Sequence, residues 1–299
     1  MDDFLMRPKV DFAFKEIMTD ERARIGFLSA VLKIRPEDIK ETRILNTNLS
    51  KEHEDDKLGI LDVRLLMNDD TEADIEIQLT ELRVWTERAL FYLSKMYVDQ
   101  ILSGQDYDVF KKCVSISILD FDLFHKETGF YSCFHIMEDI RHFIYTDKME
   151  FHVIELPKLP EELREGCSDI ELWARFINAE GKEEFDMLAQ KDPYIESAYE
   201  HLQVISQDRE KRLEYEARQK AIRDYNQMMR EAEERGREAG ERIGREAGER
   251  IGREAGEKHA EERINKLHSY LIREKRFEDL ERSTNDGDFQ KQLMEQYGI

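Results

Sequence analysis

Two segments of alternating polar and apolar residues, "ILDVRLLM" and "ADIEIQLT", constrain the fold of this chain more than any other feature. They flank "NDDT", whose Asn and Asp residues favour a tight connection, so the sequence predicts a β-hairpin with residues 68–70 as its loop. This register pairs Met67 with Thr71 and Asp62 with Glu76. One face of the hairpin is then wholly apolar, and it comprises Leu61, Val63, Leu65, Met67, Ala73, Ile75, Ile77 and Leu79.

The opposite face of the predicted hairpin concentrates polar groups. It carries Asp62, Arg64, Asp74, Glu76 and Gln78, with Ile60 and Leu66 as its apolar members. Directly opposed side chains start about 4.5–5.5 Å apart at Cβ, so Asp62 and Glu76 repel each other unless a cation lies between them. Hard oxygen ligands with open coordination positions suit Mg²⁺ or Mn²⁺, which can also carry a phosphate oxygen and an attacking water. The alternative is an ordinary half-buried sheet whose solvated polar face is neutralised by Arg64.

The segments around the hairpin predict the order helix, strands, helix, strand. A first helix, which ends at Pro36, is indicated by apolar residues at helical spacing, namely Phe12, Ile17, Ile25, Leu28, Val31 and Leu32. A second helix follows the hairpin and is indicated by Leu82, Trp85, Ala89, Tyr92 and Met96. Gly104 then offers a stop before the predicted strand "KKCVSISILDF".

The composition limits the class of protein. The chain has 299 residues, of which 40% are hydrophobic, enough for one sizeable core with an appendage or for two modest domains. Its three cysteines form no CxxC pair, which favours a reducing, cytoplasmic location over a disulfide framework. The sequence has no apolar run of 18 residues and does not begin with a signal-peptide pattern, so we expect neither membrane spanning nor export.

Several short motifs in order resemble a known family. The Asp62, Glu76 and Gln78 pattern looks like the D…ExQ form of the PD-(D/E)XK nuclease signature. The segments "DFAFKEIM", "GILDVRLLMNDDTEADIEIQLT", "ERALFYLSKMYVDQ", "SISILDF" and "FHVIELPKLP" resemble the Rpn family of recombination-promoting nucleases, also described as PD-(D/E)XK family transposases. This resemblance implies an α/β, restriction-endonuclease-like core, with a mixed central sheet flanked by helices, followed by an α-helical C-terminal region.

The resemblance also implies an activity, namely metal-dependent endonuclease cleavage of DNA phosphodiester bonds linked to recombination or mobile elements. Asp62 and Glu76 match the metal-binding carboxylates, with Mg²⁺ or Mn²⁺ as the cofactor. Gln78 matches the position where most of the wider superfamily has lysine, and it supplies dipoles in place of a positive charge. We expect it to weaken or retune the chemistry, although the Rpn-type pattern itself has glutamine there. Lys57 and Lys15 are candidates for a migrated positive charge, against the alternative that both are solvated.

Two further side chains, Arg88 and Tyr92, are weaker candidates. Arg88 and Tyr92 are spaced i, i+4 on the second predicted helix and share one face. We expect these two and Lys15 to contact substrate phosphate or to support the site, against the alternatives of helix packing by Tyr92 and an ion pair for Arg88. In "ELPKLP", which ends a predicted strand, Glu155 and Lys158 are expected to serve structure.

The chain beyond residue 160 has a polar, helical pattern. We expect four parts: a nuclease-like domain over 1–160, a helical region over 161–230, an octapeptide repeat over 231–260, and a short helical tail over 261–299. Copies of "GREAGERI" begin at Gly236 and Gly244 and are followed by "GREAGEKH". Each interior glycine costs a helix about 1 kcal/mol relative to alanine, so the repeat is expected to be helical or flexible. Its glycine spacing suggests a homo-oligomer formed through this region, against the alternative of a passive spacer.

A rival hypothesis assigns no catalysis to the chain. In it, the chain is a catalytically inactive, transposase-derived interaction protein that assembles through its helical tail. The pair Asp62 and Glu76 favours the enzyme. The net charge of −21 and the glutamine at position 78 favour the rival, because proteins that bind phosphate groups usually show a basic face. The leading hypothesis from the sequence is a Mg²⁺-dependent DNA endonuclease.

Overall fold

A computed structural model of the chain describes residues 4–49, 61–68 and 70–299. The chain divides into two compact units, Met1–Asp224 and Tyr225–Ile299, each with a hydrophobic core of its own. Lys57, Ile60 and Asp69, which entered the sequence predictions, lie outside the described residues.

The first unit is built on a mixed sheet, with six strands among the described residues. In chain order they are β1 Thr42–Ile44, β2 Val63–Met67, β3 Thr71–Gln78, β4 Lys112–Leu119, β5 Tyr131–Met137 and β6 Ile144–Glu155. Their order across the sheet is β1-β2-β3-β4-β6-β5. The β3–β4 and β4–β6 pairs are parallel, and the other neighbours are antiparallel. This architecture confirms the predicted α/β class.

The hairpin of β2 and β3 has the register that the sequence predicts. Met67 pairs with Thr71, and Val63 pairs with Ile75. Side chains alternate between the two faces of the hairpin, and those of the predicted apolar face pack in the main hydrophobic core. Leu61 is the exception, because it packs in a separate cluster on the other side of the sheet, and the chain bends at the next residue, Asp62.

The helices of the first unit lie before, within and after the sheet sequence. They are α1 Asp11–Ile17, α2 Glu21–Leu32, α3 Trp85–Val98, α4 Asp169–Asn178, α5 Lys182–Ala189 and α6 Pro193–Gln207. The single helix predicted up to Pro36 is wrong in two respects. The Asp20 side chain accepts from the Ala23 N–H at 2.7 Å and starts a new helix, and Lys33 ends that helix in the left-handed conformation with φ 55°.

Helices that follow residue 160 share a core with those that precede the sheet. A chain of aromatic contacts, with ring centroids 5.3–5.8 Å apart, joins α1 to α6 through Phe14, Phe27, Trp173, Phe176, Phe185 and Tyr199. At Gly26 the backbones of α2 and α6 come so close that an added Cβ would lie 2.2 Å from Tyr194 Cβ. The domain boundary at residue 160 stays a prediction, while in the structure residues on both sides of it pack in one hydrophobic core.

The second unit is helical. Helix α7 Arg209–Arg273 begins in the first unit and ends in the second, followed by α8 Phe277–Asn285 and α9 Gly287–Tyr297. Leu267, Leu271, Leu293 and Met294 form its buried cluster. The octapeptide repeat is helical, and all six of its glycines face open space. Within the part of the chain that the structure describes, no helix is long and apolar enough to span a membrane.

Candidate active site

The carboxylates of Asp62 and Glu76 are held next to each other by the hairpin backbone. The N–H of Asp62 donates to Glu76 Oε1 at 2.8 Å. The N–H of Ile77 donates to Asp62 Oδ2 at 3.1 Å. Each carboxylate is therefore fixed by the main chain beside the other, which is the juxtaposition that the predicted register requires.

Two cations flank this carboxylate pair from two different helices. Lys15 Nζ, on α1, lies 3.0 Å from Asp62 Oδ1. Arg88 Nη2, on α3, lies 3.3 Å from Glu76 Oε2. Both side chains remain about one-third exposed, at 36% for Lys15 and 34% for Arg88, so each can reach solvent or a ligand from the edge of the site.

Most acidic residues of the hairpin's polar face are buried, so the alternative of a solvated face is wrong for β3. Glu72, Asp74 and Glu76 are 6%, 0% and 3% exposed. The cause is the topology, because β3 and β4 run parallel and their connection must cross over the sheet, which lays α3 on this face. Arg64 pairs with Glu72, and its side chain is 16% exposed.

Burial gives the acidic groups unusual proton affinities. Burial raises the pKa of Glu76 to about 8, with the negative charge of Asp62 as a further cause. Burial also raises the pKa of Asp74 well above its ordinary value, aided by the charge of Glu76. Neither carboxyl oxygen of Asp74 has a hydrogen-bond partner among the described residues. A set of buried acids like this one favours any positive charge that can reach it.

Sequence reasoning did not select Asp74 as a site residue, although the signal was present. It stands two residues before Glu76 on the same strand, and strand alternation puts the two on one face. What the pattern could not give was the depth of burial, which comes from α3.

Gln78 and Tyr92 lie at the margins of the site. Gln78, at the end of β3, is half-buried, and its Nε2 donates to the carbonyl oxygen of Thr80 at 2.9 Å. Tyr92 is 7% exposed and packs with Leu93 and Met96 of the same helix, with Arg88 Cζ 5.1 Å from its ring centroid. Tyr92 thus contacts the site through the Arg88 guanidinium.

Trp85 also contacts Arg88 and was predicted only as part of the helix stripe. Arg88 Cζ lies 5.4 Å from the Trp85 ring centroid, so two aromatic rings hold the guanidinium beside Glu76. The indole N–H of Trp85 donates to Ser117 Oγ at 3.2 Å. Ser117 is the β4 residue paired with Glu76, which fixes the helix to the sheet at the site.

The donor atoms fit a hard divalent cation. Asp62 and Glu76 offer adjacent carboxylate oxygens, and each oxygen that accepts one hydrogen bond keeps a second lone pair. Among the described residues, no group of three or more His, Cys, Asp or Glu side chains is arranged to hold a metal ion. A cation at this pair would therefore depend on water or a bound phosphate for its remaining ligands, which is how Mg²⁺ is commonly held.

Comparison with known proteins adds one match. A family model described as PD-(D/E)XK nuclease family transposase matches residues 8–232. The match begins just before α1, includes the whole sheet, and reaches into α7, so it extends well past the motifs that carry the resemblance in the sequence. No similar curated protein and no similar solved structure was found.

Proposed function

The chain belongs to the PD-(D/E)XK nuclease family transposases, and we propose that it is a DNA endonuclease that depends on Mg²⁺ or Mn²⁺. Membership implies nuclease-type hydrolysis, and the mixed sheet flanked by helices is consistent with the fold of that family. The observation that carries the proposal is the pair Asp62 and Glu76, which is cross-held by two backbone hydrogen bonds and flanked by Lys15 and Arg88.

Asp62 and Glu76 are the residues that would hold the cation. When bound, a divalent metal supplies Lewis-acid polarisation of a phosphoryl oxygen and lowers the pKa of a bound water. The chain's own contribution is to keep both carboxylates oriented before the substrate arrives, since their main-chain hydrogen bonds restrict their rotation.

The chain as a whole is acidic, with a net charge of −21. Lys15 and Arg88 provide local positive charge at the site, where the phosphate of DNA would bind. Each is paired with a carboxylate and also partly exposed, so each can exchange part of its ion pair for a phosphate oxygen. Arg88 is the better placed for this, because it has cation–π contacts with the rings of Trp85 and Tyr92. In this proposal Lys15 and Arg88 provide the positive charge that lysine provides in most of the wider superfamily, where this chain has the neutral Gln78.

A plasmid-nicking assay tests the proposal. The wild-type protein should relax supercoiled plasmid in Mg²⁺ or Mn²⁺, and Asp62→Ala should stop this while retaining the wild-type circular dichroism spectrum. Excess chelator should halt cutting without loss of helical signal, since a cation held by two carboxylates contributes little to folding.

Two results would contradict the proposal. Wild-type protein that nicks DNA in neither metal would remove the endonuclease assignment and favour an inactive interaction protein. A chelator that unfolds the chain would instead indicate a structural metal, a role that the pair at Asp62 and Glu76 does not explain.

A further inference from the structure

A pocket of about 270 Å³ opens on the face of the sheet that α3 covers. It lies between α3 and the strands β4, β5 and β6. Its walls are mainly apolar and aromatic, formed by Trp85, Ala89, Phe124, Phe134, Phe151 and Val153. The volume is just below the range of about 300–1,000 Å³ typical of ligand pockets, which suits one flat ring system.

Two residues that line the pocket, Trp85 and Ser117, connect it to the acidic pair. Trp85 lines the pocket, and the guanidinium of Arg88 lies 5.4 Å from the centre of its ring. The same guanidinium is 3.3 Å from Glu76 Oε2. Ser117, which also lines the pocket, is paired with Glu76 across the β3–β4 ladder. Arg88 is therefore near both Glu76 and Trp85, which lines the pocket.

The "ELPKLP" segment holds the part of the pocket wall formed by Leu123 and Phe124. Glu155 is fully buried, and its Oε1 accepts from the backbone N–H groups of Leu123 at 2.6 Å and Phe124 at 3.0 Å. Lys158 Nζ lies 2.9 Å from Glu155 Oε1 and donates to the Phe124 carbonyl at 2.8 Å. Glu155 and Lys158 thus have a structural role, as predicted, because their hydrogen bonds hold Phe124 in the pocket wall.

We propose that this pocket receives one unstacked nucleobase of the DNA strand whose phosphate lies at Asp62 and Glu76. The inference rests on the proposed function and extends it to the state of the substrate. Aromatic walls bind any base by stacking, and the base must leave the duplex to enter. The enzyme therefore acts in preference on single-stranded or locally distorted DNA, where the cost of unstacking is smallest.

The position of the pocket favours a base over the other occupant that its chemistry admits, an apolar side chain of a partner protein. An apolar side chain of a partner would gain no interaction from the charged groups of Arg88 and the carboxylate pair. A nucleotide would, because its phosphate and its base are parts of one ligand, and Arg88 is near both of the sites that the two would occupy.

Variants of the pocket test the inference without touching the acidic pair. Phe134→Ala removes an aromatic wall at a residue that is 42% exposed, so the fold should tolerate it. Ala89→Phe fills the pocket from α3. Phe143→Ala is the matched control, because Phe143 is 49% exposed and does not line the pocket.

The binding probe is a short single-stranded oligonucleotide that carries 2-aminopurine, used without divalent metal so that it is not cut. Wild type and Phe143→Ala should quench its fluorescence equally. Phe134→Ala and Ala89→Phe should each weaken binding at least fivefold. The same two variants should lose at least fivefold in cleavage of single-stranded DNA in Mg²⁺.

The outcomes separate this inference from the proposed function. Cleavage and quenching that are the same in wild type, Phe134→Ala and Ala89→Phe would overturn the base pocket and leave the endonuclease intact. Pocket-dependent quenching by a protein that never cuts DNA would support the pocket and overturn the endonuclease. Binding of an apolar dye such as N-phenyl-1-naphthylamine that the oligonucleotide does not displace would assign the pocket to an apolar partner and overturn the inference.

Discussion

Arg88 Nη2 lies 3.3 Å from Glu76 Oε2, and its Cζ lies 5.4 Å from the Trp85 ring centroid and 5.1 Å from that of Tyr92. The charge of Arg88 lowers the pKa of Glu76, but burial has the larger effect, and the net result is the rise to about 8. Arg88 therefore offsets part of the cost of burying the negative charge of Glu76 under α3.

Replacing Arg88 should impair cleavage. Arg88→Ala is expected to lower the single-turnover cleavage rate in Mg²⁺ at least tenfold, because Glu76 loses its cation and the substrate loses a phosphate contact. Arg88→Lys should recover part of the rate, since lysine keeps the charge but lacks the planar guanidinium with its several donors. Arg83→Ala, at an exposed residue five positions earlier, is the control and should stay within twofold of wild type. Equal rates for Arg88→Ala and wild type would remove Arg88 from the site.

Stability of the metal-free protein should fall as the pH rises. Because the folded-state pKa of Glu76 is about 8, above the ordinary 4.5, the folded chain binds this proton more tightly than the unfolded chain does. Its contribution is fully present below the unfolded pKa and is lost as the pH passes through 8. The slope reaches up to about 1.4 kcal/mol per pH unit for one proton.

Chemical denaturation in chelator between pH 5 and pH 9 measures this slope. Glu76→Gln carries a neutral amide at every pH, so its unfolding free energy should decline less steeply than that of wild type. Superimposable pH profiles for the two proteins would mean that Glu76 is ionised in the folded state well below pH 8.

The close approach of α2 and α6 should make Gly26 intolerant of a side chain. A Cβ there would lie 2.2 Å from Tyr194 Cβ, which can move only with its backbone. Overpacking of this kind costs about 1–3 kcal/mol, more than the gain of about 1 kcal/mol from removing a helical glycine. Gly26→Ala should therefore lower the free energy of unfolding measured in denaturant, and an increase would show that the two helices separate at little cost.

The glycines of the repeat should behave in the opposite way. No atom outside their own helix lies within 4 Å of a Cβ added at any of the six, so substitution by alanine should raise the melting temperature of the helical signal. Single-turnover cleavage should remain within a few-fold of wild type, because the acidic pair belongs to the other unit. If the glycine stripe forms the predicted homo-oligomer, the mass from light scattering should fall. An unchanged oligomer with unchanged cleavage would make the repeat a spacer.

The carboxylate pair could be predicted from sequence because it depends on local rules. Alternation and turn chemistry fix which residues of β2 and β3 oppose each other, and extending this register by one residue beyond β2 puts Asp62 beside Glu76. For Arg88 the sequence predicted only that it shares a helix face with Tyr92. Its contact with Glu76 could not be predicted, because this distance depends on how α3 crosses the sheet.

The remainder of the site required tertiary structure. The burial of Asp74 comes from α3, and the position of Phe124 comes from hydrogen bonds to Glu155, which is 31 residues away in sequence. Strand β5 was also not predicted, because its exposed Phe134, Ile136 and Met137 give no alternation between an apolar and a polar face.

The most direct test of the central claim compares two glutamates on the same face of β3. Glu76 and Glu72 are 3% and 6% exposed, yet Glu76 adjoins Asp62 and Arg88 while Glu72 pairs with Arg64. Nicking of supercoiled plasmid in Mg²⁺ should fall at least 100-fold in Glu76→Gln and stay within threefold of wild type in Glu72→Gln, with thermal melting confirming that both are folded. A Glu76→Gln protein that nicks as fast as wild type, or a Glu72→Gln protein that is folded and equally dead, would contradict the assignment of cleavage to the Asp62 and Glu76 pair.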